Sequence, residues 1–302
     1  MTPPRDDDAL RDRYRGCLLG LACGDAVGTT LEFRRRGSFE PITDMVGGGP
    51  FGLRPGEWTD DTSMALCLAT SLVECHGFDA EDQMNRYVNW WQHGYLSATG
   101  RCFDIGNTVA GALQRYLQTR NPVAGSTDPR SAGNGSLMRL APAVLFGHPD
   151  AAAALELARR SSTTTHGAPE AVESCELFAE LIVNALNGGA KATVLQSRLA
   201  APKTPAVRAL AAGDYLRKTE GDIRGSGYCI ESLEAALWCF ANTGSFESAV
   251  LRAANLGDDA DTTAAIVGQI AGAHYGMAGI PARWLVRLHQ RAEIEALADQ
   301  LG

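Results

Sequence analysis

Two stretches of this chain are so rich in glycine and alanine that they constrain everything packed around them. In "GCLLGLACGDAVGTTLEF", Gly16, Gly20, Ala22, Gly24, Ala26 and Gly28 recur within a helical pattern. In "NLGDDADTTAAIVGQIAGAHYG", Ala264, Ala265, Gly268, Ala271 and Gly272 do the same. Glycine costs a helix about 1 kcal/mol relative to alanine, so its density needs a reason, and close backbone approach is the usual one. The two stretches therefore predict a pair of central helices packed tightly in a compact bundle.

The remaining periodicity is also helical. "SFESAVLRAANL" sets Phe246, Ala249, Val250, Ala253 and Ala254 on one stripe behind Ser245 as N-cap. "ESLEAALWCF" and "EAVESCELFAELIVNAL" read the same way, and further helices are expected near 10–31, 62–76, 80–95, 106–119, 150–161 and 280–300. No alternating Val, Ile or Thr run reads as a strand, so the fold class is all-α. The segments "VGGGPFGLRPGE", "TRNPVAGSTDPRSAGNGS", "APKTP" and "EGDIRGSG" look like loops rather than linkers, which leaves 1–302 as one domain. Trp90 and Trp91 are assigned to packing.

The partners are bounded by charge. A formal net charge of −8 argues against nucleic acid, which needs basic patches. The one dense basic run, Arg34-Arg35-Arg36, reads as a solvated loop or helix end, or as a patch that steers an anionic ligand or an acidic protein toward a nearby site. No segment is long and clean enough to span a membrane; the best, Ala264 to Gly279, contains Gln269 and His274. The N-terminus lacks the apolar core of a signal peptide, and the eight cysteines show no C-x-x-C spacing. A reduced, cytoplasmic protein is expected.

Acidic side chains supply the sharpest signal. "GEWTDDTSM" and "NLGDDADTTAA" place five aspartates and four threonines at two helix starts. Helix capping explains one acid at each, since a cap uses a single side chain. A cation site explains the excess: carboxylate and hydroxyl oxygens are hard ligands that suit Mg²⁺, Mn²⁺ or Ca²⁺. If the two helix starts face each other, their acids can bridge two cations about 3.5–4 Å apart. The EF-hand loop, the P-loop and the His-Asp pair of the HD phosphohydrolases are all missing.

These pieces, with "FDIGNT", "SAGNGSLMRLAPAV", "THGAPEA" and "GSGYCIESLEAALWCF" in order along the chain, resemble the ADP-ribosylglycohydrolase family, and within it the dinitrogenase-reductase-activating branch. The resemblance implies an all-α bundle with a dinuclear Mg²⁺ or Mn²⁺ centre and hydrolysis of the bond between ADP-ribose and a protein arginine. Hydrolysis of serine-linked or other O-linked ADP-ribose and a catalytically silent ADP-ribose-binding relative are the alternatives. It assigns Thr59, Asp60 and Asp61 to one metal, Asp259 and Thr262 to the other, and Asp261 to both. Asp258 becomes an outer or surface acid. Glu32 matches a glutamate beside the second metal that orients or deprotonates water; on its own it would be an ordinary helix-end acid.

Asp104 matches an acid near the scissile bond and the arginine, where its other reading is an N-cap before "IGNTVAGAL". Asn107 replaces an acid found in some relatives. The loop Ser131, Gly133, Asn134, Gly135 and Ser136 is suited to the diphosphate, because glycines admit phosphate to backbone N–H groups, and a helix is expected to follow at Leu137. His166 matches a position near the distal ribose and phosphates, and Tyr228 one that flanks adenine. Two roles are open to Asp25: a loop cap, or support to the metal ligands. An ADP-ribosylated protein is the implied substrate, ADP-ribose the product, and a monomer the expected state.

Overall fold

A computed structural model describes residues 6–199 and 202–302. Gly16, Gly20, Gly24 and Gly28 of the first helix, α1 (Asp6–Gly28), lie opposite Gly272, Gly268, Ala264 and Ala260 of the twelfth. As one residue number rises the other falls, so the two helices run antiparallel. A Cβ built on any of the four glycines would fall inside contact distance of the opposing carbonyl oxygen. The backbones touch along the whole seam, as the glycine density predicted.

Between these two helices the chain forms α2 (Asp60–Glu74), α3 (Ala80–His93), α4 (Asn107–Thr119), α5 (Ala141–Gly147), α6 (Ala151–Thr165), α7 (Pro169–Leu186), α8 (Lys191–Val194), α9 (Pro205–Ala211), α10 (Cys229–Ala241) and α11 (Phe246–Ala254). The glycine-lined partner of α1 is α12 (Ala260–Tyr275), followed by α13 (Ala282–Arg287) and α14 (Arg291–Leu301). The described residues contain no strand, only isolated bridges. The protein is all-α.

Helix α12 is buried from Ala260 to Ala273 without interruption, which makes it the axis of the core. Besides α1, it packs on α7, α10 and α11. A second cluster joins Met64 and Cys67 of α2 to Met84, Tyr87 and Trp90 of α3 and to Val109, Leu113 and Tyr116 of α4. Trp91 packs against its edge, so both tryptophans serve packing. This second cluster carries the segment 104–109 over the end of the α1–α12 seam.

Local rules explain most helix limits. Ser245 caps α11 by accepting from the Ser248 N–H. The helix expected at Leu137 starts instead at Ala141. Gln269, buried on α12, donates to the Leu137 and Met138 carbonyls and accepts from the Ala141 N–H, which holds that segment as turns. Pro142 then sits in the first turn of α5, where its missing N–H costs nothing. The single helix expected over 280–300 is two, because Gln290 adopts a left-handed φ of 51° between α13 and α14. Arg34 and Arg35 of the basic run are exposed, whereas Arg36 is half-buried. Its guanidinium donates to the carbonyls of Leu256, Glu220 and Ile223, clasping the loop before α12. All eight cysteines are free, and no helix among the described residues is long and apolar enough to cross a membrane.

Candidate active site

The last close contact of the glycine seam, Gly28 on Ala260 and Asp261, delivers two chain segments to one place. From α1, a short 3₁₀ turn over Thr29–Leu31 leads to Glu32. From the other side come Asp259, Asp261 and Thr262 at the start of α12. Two backbone bonds lock them together: Phe33 N–H to the Asp258 carbonyl and Asp258 N–H to the Arg34 carbonyl, both 2.8 Å. Phe33 and Asp258 both adopt left-handed φ, 60° and 57°, a strained pairing of the kind found at functional sites. Asp258 is exposed on the rim, whereas Glu32 and Asp261 are buried.

The start of α2 enters from below. Its N-cap residue, Thr59, makes no side-chain cap. The cap comes from α1: Asp25 Oδ1 accepts from the Thr59 N–H and hydroxyl, both at 2.9 Å, and Oδ2 accepts from the Thr62 N–H at 3.0 Å and hydroxyl at 2.6 Å. Both Asp25 oxygens are thereby committed to the first turn of α2, so Asp25 caps a helix rather than a loop. Asp60 and Asp61 fall in the first turn of α2 itself, not before it.

Seven acids converge. One oxygen each from Asp25, Asp61 and Asp261 lie within 4.8 Å of one another, and so do one each from Glu32, Asp104 and Asp261. The Thr59 hydroxyl lies 3.0 Å from Asp61 and 3.3 Å from Asp261. The Asp60 carboxyl sits against Asp104, and Asp259 against Thr262. Burial first, then Asp261 and Asp104, push Glu32 far above the usual carboxylate range. Burial with Asp104 raises Asp60, burial with Asp25 raises Asp61, and burial with Asp259 raises Asp261. Burial also raises Asp104 to about 6.

Three carboxyl oxygens in this group, Glu32 Oε2, Asp61 Oδ1 and Asp261 Oδ1, are buried without a hydrogen-bond partner. Leaving such atoms unpaired is costly, and a bound cation removes both that cost and the repulsion. The donor set is all oxygen, so it fits hard divalent cations rather than zinc.

Above the acids opens a cleft of about 780 Å³ lined by Glu32, Asp60, Asp104, Asp259, Asp261 and Thr262 at one end and by Gly133, Asn134, Gly135 and His166 further along. Thr59 and Asp61 lie behind this surface. Asp104 caps nothing, since the N-cap of α4 is Gly106; Asn107 lines the cleft. An adjoining hollow of about 530 Å³ shares Thr108, Gly133 and Gly227 with it and reaches Ser131, Glu170 and Tyr228. Tyr228, the partly exposed N-cap residue of α10, donates its hydroxyl to Glu170 at 2.6 Å.

The glycine loop is stapled to the loop before α10, with Asn134 N–H on the Gly227 carbonyl and Cys229 N–H on the Ala132 carbonyl. Among the described residues the Gly135 and Ser136 N–H groups have no acceptor. Two of its side chains are spent elsewhere. Asn134 donates to Asp259 at 2.7 Å, tying loop to acid cluster. Ser136 lies buried behind the loop, bonded to Ser162 and Cys175. The Asn134–Asp259 tie, the Asp25 cap and the Gln269 brace were not apparent in the sequence; their one advance signal was a polar residue set among apolar or small neighbours.

Comparison with known proteins gives the family of the chain. Residues 6–302 match the ADP-ribosylglycohydrolase family, to which this chain belongs. It is 48% identical over 297 residues to a Pseudomonas putida (strain GB-1) protein named ADP-ribosylarginine hydrolase Tri1, covering 96% of this chain and 78% of that one. It is 32% identical to the ADP-ribosyl-[dinitrogen reductase] glycohydrolase of Rhodospirillum rubrum, covering 95% and 94% of the two chains. A solved structure titled ADP-ribosylglycohydrolase-related protein complex superposes with a TM-score of 0.84 at 46% identity, covering 97% of each chain.

Proposed function

We propose that this protein hydrolyses the N-glycosidic bond between C1″ of ADP-ribose and a protein arginine, with two divalent cations, Mg²⁺ or Mn²⁺, as cofactors. The observation that carries the reading is the set of buried, unpartnered oxygens of Glu32, Asp61 and Asp261 beside a cleft of about 780 Å³. Membership of the ADP-ribosylglycohydrolase family and the 48% identity to a relative named for arginine-linked substrates select the bond.

Thr59, Asp60 and Asp61 would hold one cation, Asp259 and Thr262 the other, and Asp261 both. Bound there, such cations supply Lewis acidity toward ribose hydroxyls and water. The protein's own groups do the rest. Glu32, with one oxygen free of partners, orients the attacking water and takes its proton. Asp104, beside Asp60 at the cleft surface, pairs with the guanidinium. The C1″–N bond breaks through an oxocarbenium-like state, hydroxide adds to C1″, and the departing guanidine nitrogen keeps its electron pair and gains a proton. The Gly133–Ser136 loop and His166 receive the diphosphate, Ser131 borders its far side, and Tyr228 flanks adenine. We take residues 1–302 to act as one domain, as a monomer in the reducing cytoplasm.

The test is release of ADP-ribose from an arginine-modified protein with EDTA, and after return of Mg²⁺ or Mn²⁺. Release that depends on the cation supports the reading. Release from serine-modified peptide alone would overturn the linkage, and ADP-ribose binding without any release would make the chain a binding protein.

A further inference from the structure

Arg139 is wholly buried, yet among the described residues it pairs with no carboxylate. Its contacts are neutral: the Tyr87 ring with its centroid at 4.6 Å, Met64 Sδ at 3.7 Å, the Ser161 carbonyl at 3.4 Å, Thr164 Oγ1 at 3.5 Å and Thr165 Oγ1 at 2.6 Å. Its Nε has no partner. An isolated guanidinium is expensive to bury, and an apolar side chain of similar length would be the cheaper filling. What the guanidinium adds is direction, because it can only donate.

That direction propagates. The short bond from Arg139 occupies a lone pair of Thr165 Oγ1. Thr165 Oγ1 also lies 2.8 Å from His166 Nδ1. If Nδ1 carried the ring proton, it would donate to Thr165, and the Thr165 hydrogen would have no acceptor among the described residues. If Nδ1 is bare, the Thr165 hydroxyl donates to it, and Thr165 Oγ1 then both accepts from Arg139 and donates to His166. The ring proton is then on Nε2. The ring itself touches the glycine loop: a Cβ on Gly135 would come within 3.1 Å of Nε2, and both residues line the cleft. Nε2 has no partner among the described residues, and the neighbouring Gly135 N–H is equally free.

We propose that Arg139 and Thr165 are positioning residues that fix His166 in its Nε2–H form, so that the cleft wall beside Gly135 presents a permanent donor to a diphosphate oxygen of the ligand. The ligand class rests on the function proposed above; the tautomer does not. A histidine of the opposite tautomer would turn a lone pair toward the anion and repel it. The choice is therefore made by a residue that never touches the ligand.

The test is long-range ¹H–¹⁵N NMR of the histidine-labelled protein, with the His166 signals assigned by their loss in His166→Asn, together with ADP-ribose titration. The wild type should show a protonated Nε2 and a bare Nδ1; a protonated Nδ1 overturns the proposal, even if Thr165→Val does not fold. Thr165→Val should lose the fixed tautomer and bind ADP-ribose about 10-fold more weakly, the loss of one hydrogen bond to a charged acceptor. Thr165→Ser should restore both. Weaker binding of Thr165→Val with the His166 signals unmoved would give Thr165 a purely structural role and sink the idea, as would no change in either. Failure of the wild type to bind ADP-ribose would reject the proposed function while leaving the tautomer measurement to decide this inference separately.

Discussion

Asp25 caps a helix to which it does not belong: its two carboxyl oxygens take the N–H and hydroxyl of Thr59 and of Thr62, so α1 fixes the first turn of α2. Asp25→Ala would orphan two buried N–H groups and two hydroxyls. We expect a loss of about 2–4 kcal/mol, seen as a lower midpoint in chemical denaturation. Cation affinity measured by calorimetry should fall as well, since Asp61 stands on that turn. Unchanged stability would mean that α2 finds its own cap.

The acid cluster should make the cation-free protein dislike alkaline solution. Its carboxyls titrate near 4 when unfolded. Folding raises Asp25 and Asp104 to about 6, burial being the first cause of each, and raises Glu32, Asp60, Asp61 and Asp261 further. The native state thus binds more protons than the unfolded state above pH about 4. With EDTA, the thermal midpoint should fall as pH rises, partly between about 4 and 6 and further at higher pH. Mn²⁺ should cancel the trend. A midpoint that rises with pH in EDTA would contradict this account.

Asp60→Ala or Asp261→Ala should abolish turnover, because each removes an acid from the group that would hold the cations. Asp104→Ala should behave differently, with turnover at least about 100-fold lower and ADP-ribose affinity nearly intact. Single-turnover kinetics and calorimetry separate the two effects. Full activity of the Asp104 variant would remove it from the chemistry.

Gly24→Ala is a one-methyl change with a backbone oxygen in its way, since the new Cβ would overlap the Ala264 carbonyl. Helix propensity alone would favour alanine by about 1 kcal/mol. The seam should reverse the sign and cost about 3 kcal/mol or more. Equilibrium unfolding tells the two apart, because a stabilised variant would mean the helices separate freely.

Burial, with Arg139 nearby, holds His166 down to about 3, so it stays neutral throughout the physiological range. ADP-ribose affinity should therefore show no inflection near pH 6.5 from this residue. Comparison of the titration curves of the wild type and His166→Asn checks this: an inflection present in the first and absent in the second would show that His166 ionises.

Much of this could be read from the chain, and the division is physical. Features set by neighbours in sequence were legible: the small-residue faces of α1 and α12, the Ser245 cap, and the crowded acids at two helix starts. Features set by partners far along the chain were not. Nothing near Asp25 in sequence points to Thr59, and nothing near Asn134 points to Asp259. Leu137 looked like a helix start because its competing partner, Gln269, lies on α12. Gln290 broke a helix that apolar spacing alone continued. Arg36 looked like a surface charge because the three carbonyls that hold it belong to distant loops.

The glycine seam has a consequence for how the protein comes into being. Its two strips are separated by more than two hundred residues, and Glu32 meets Asp261 only where they close. A ribosome must deliver α12 before Glu32 and Asp61 can meet Asp261. A nascent chain that stops short of α12 lacks Asp259, Asp261 and Thr262, and gains them only as the late helix zips down beside the earliest one. Because that pairing joins segments more than two hundred residues apart, its closure is the slow, non-local kind of event. Closing the seam and completing the acid cluster both require the same pairing of α1 with α12.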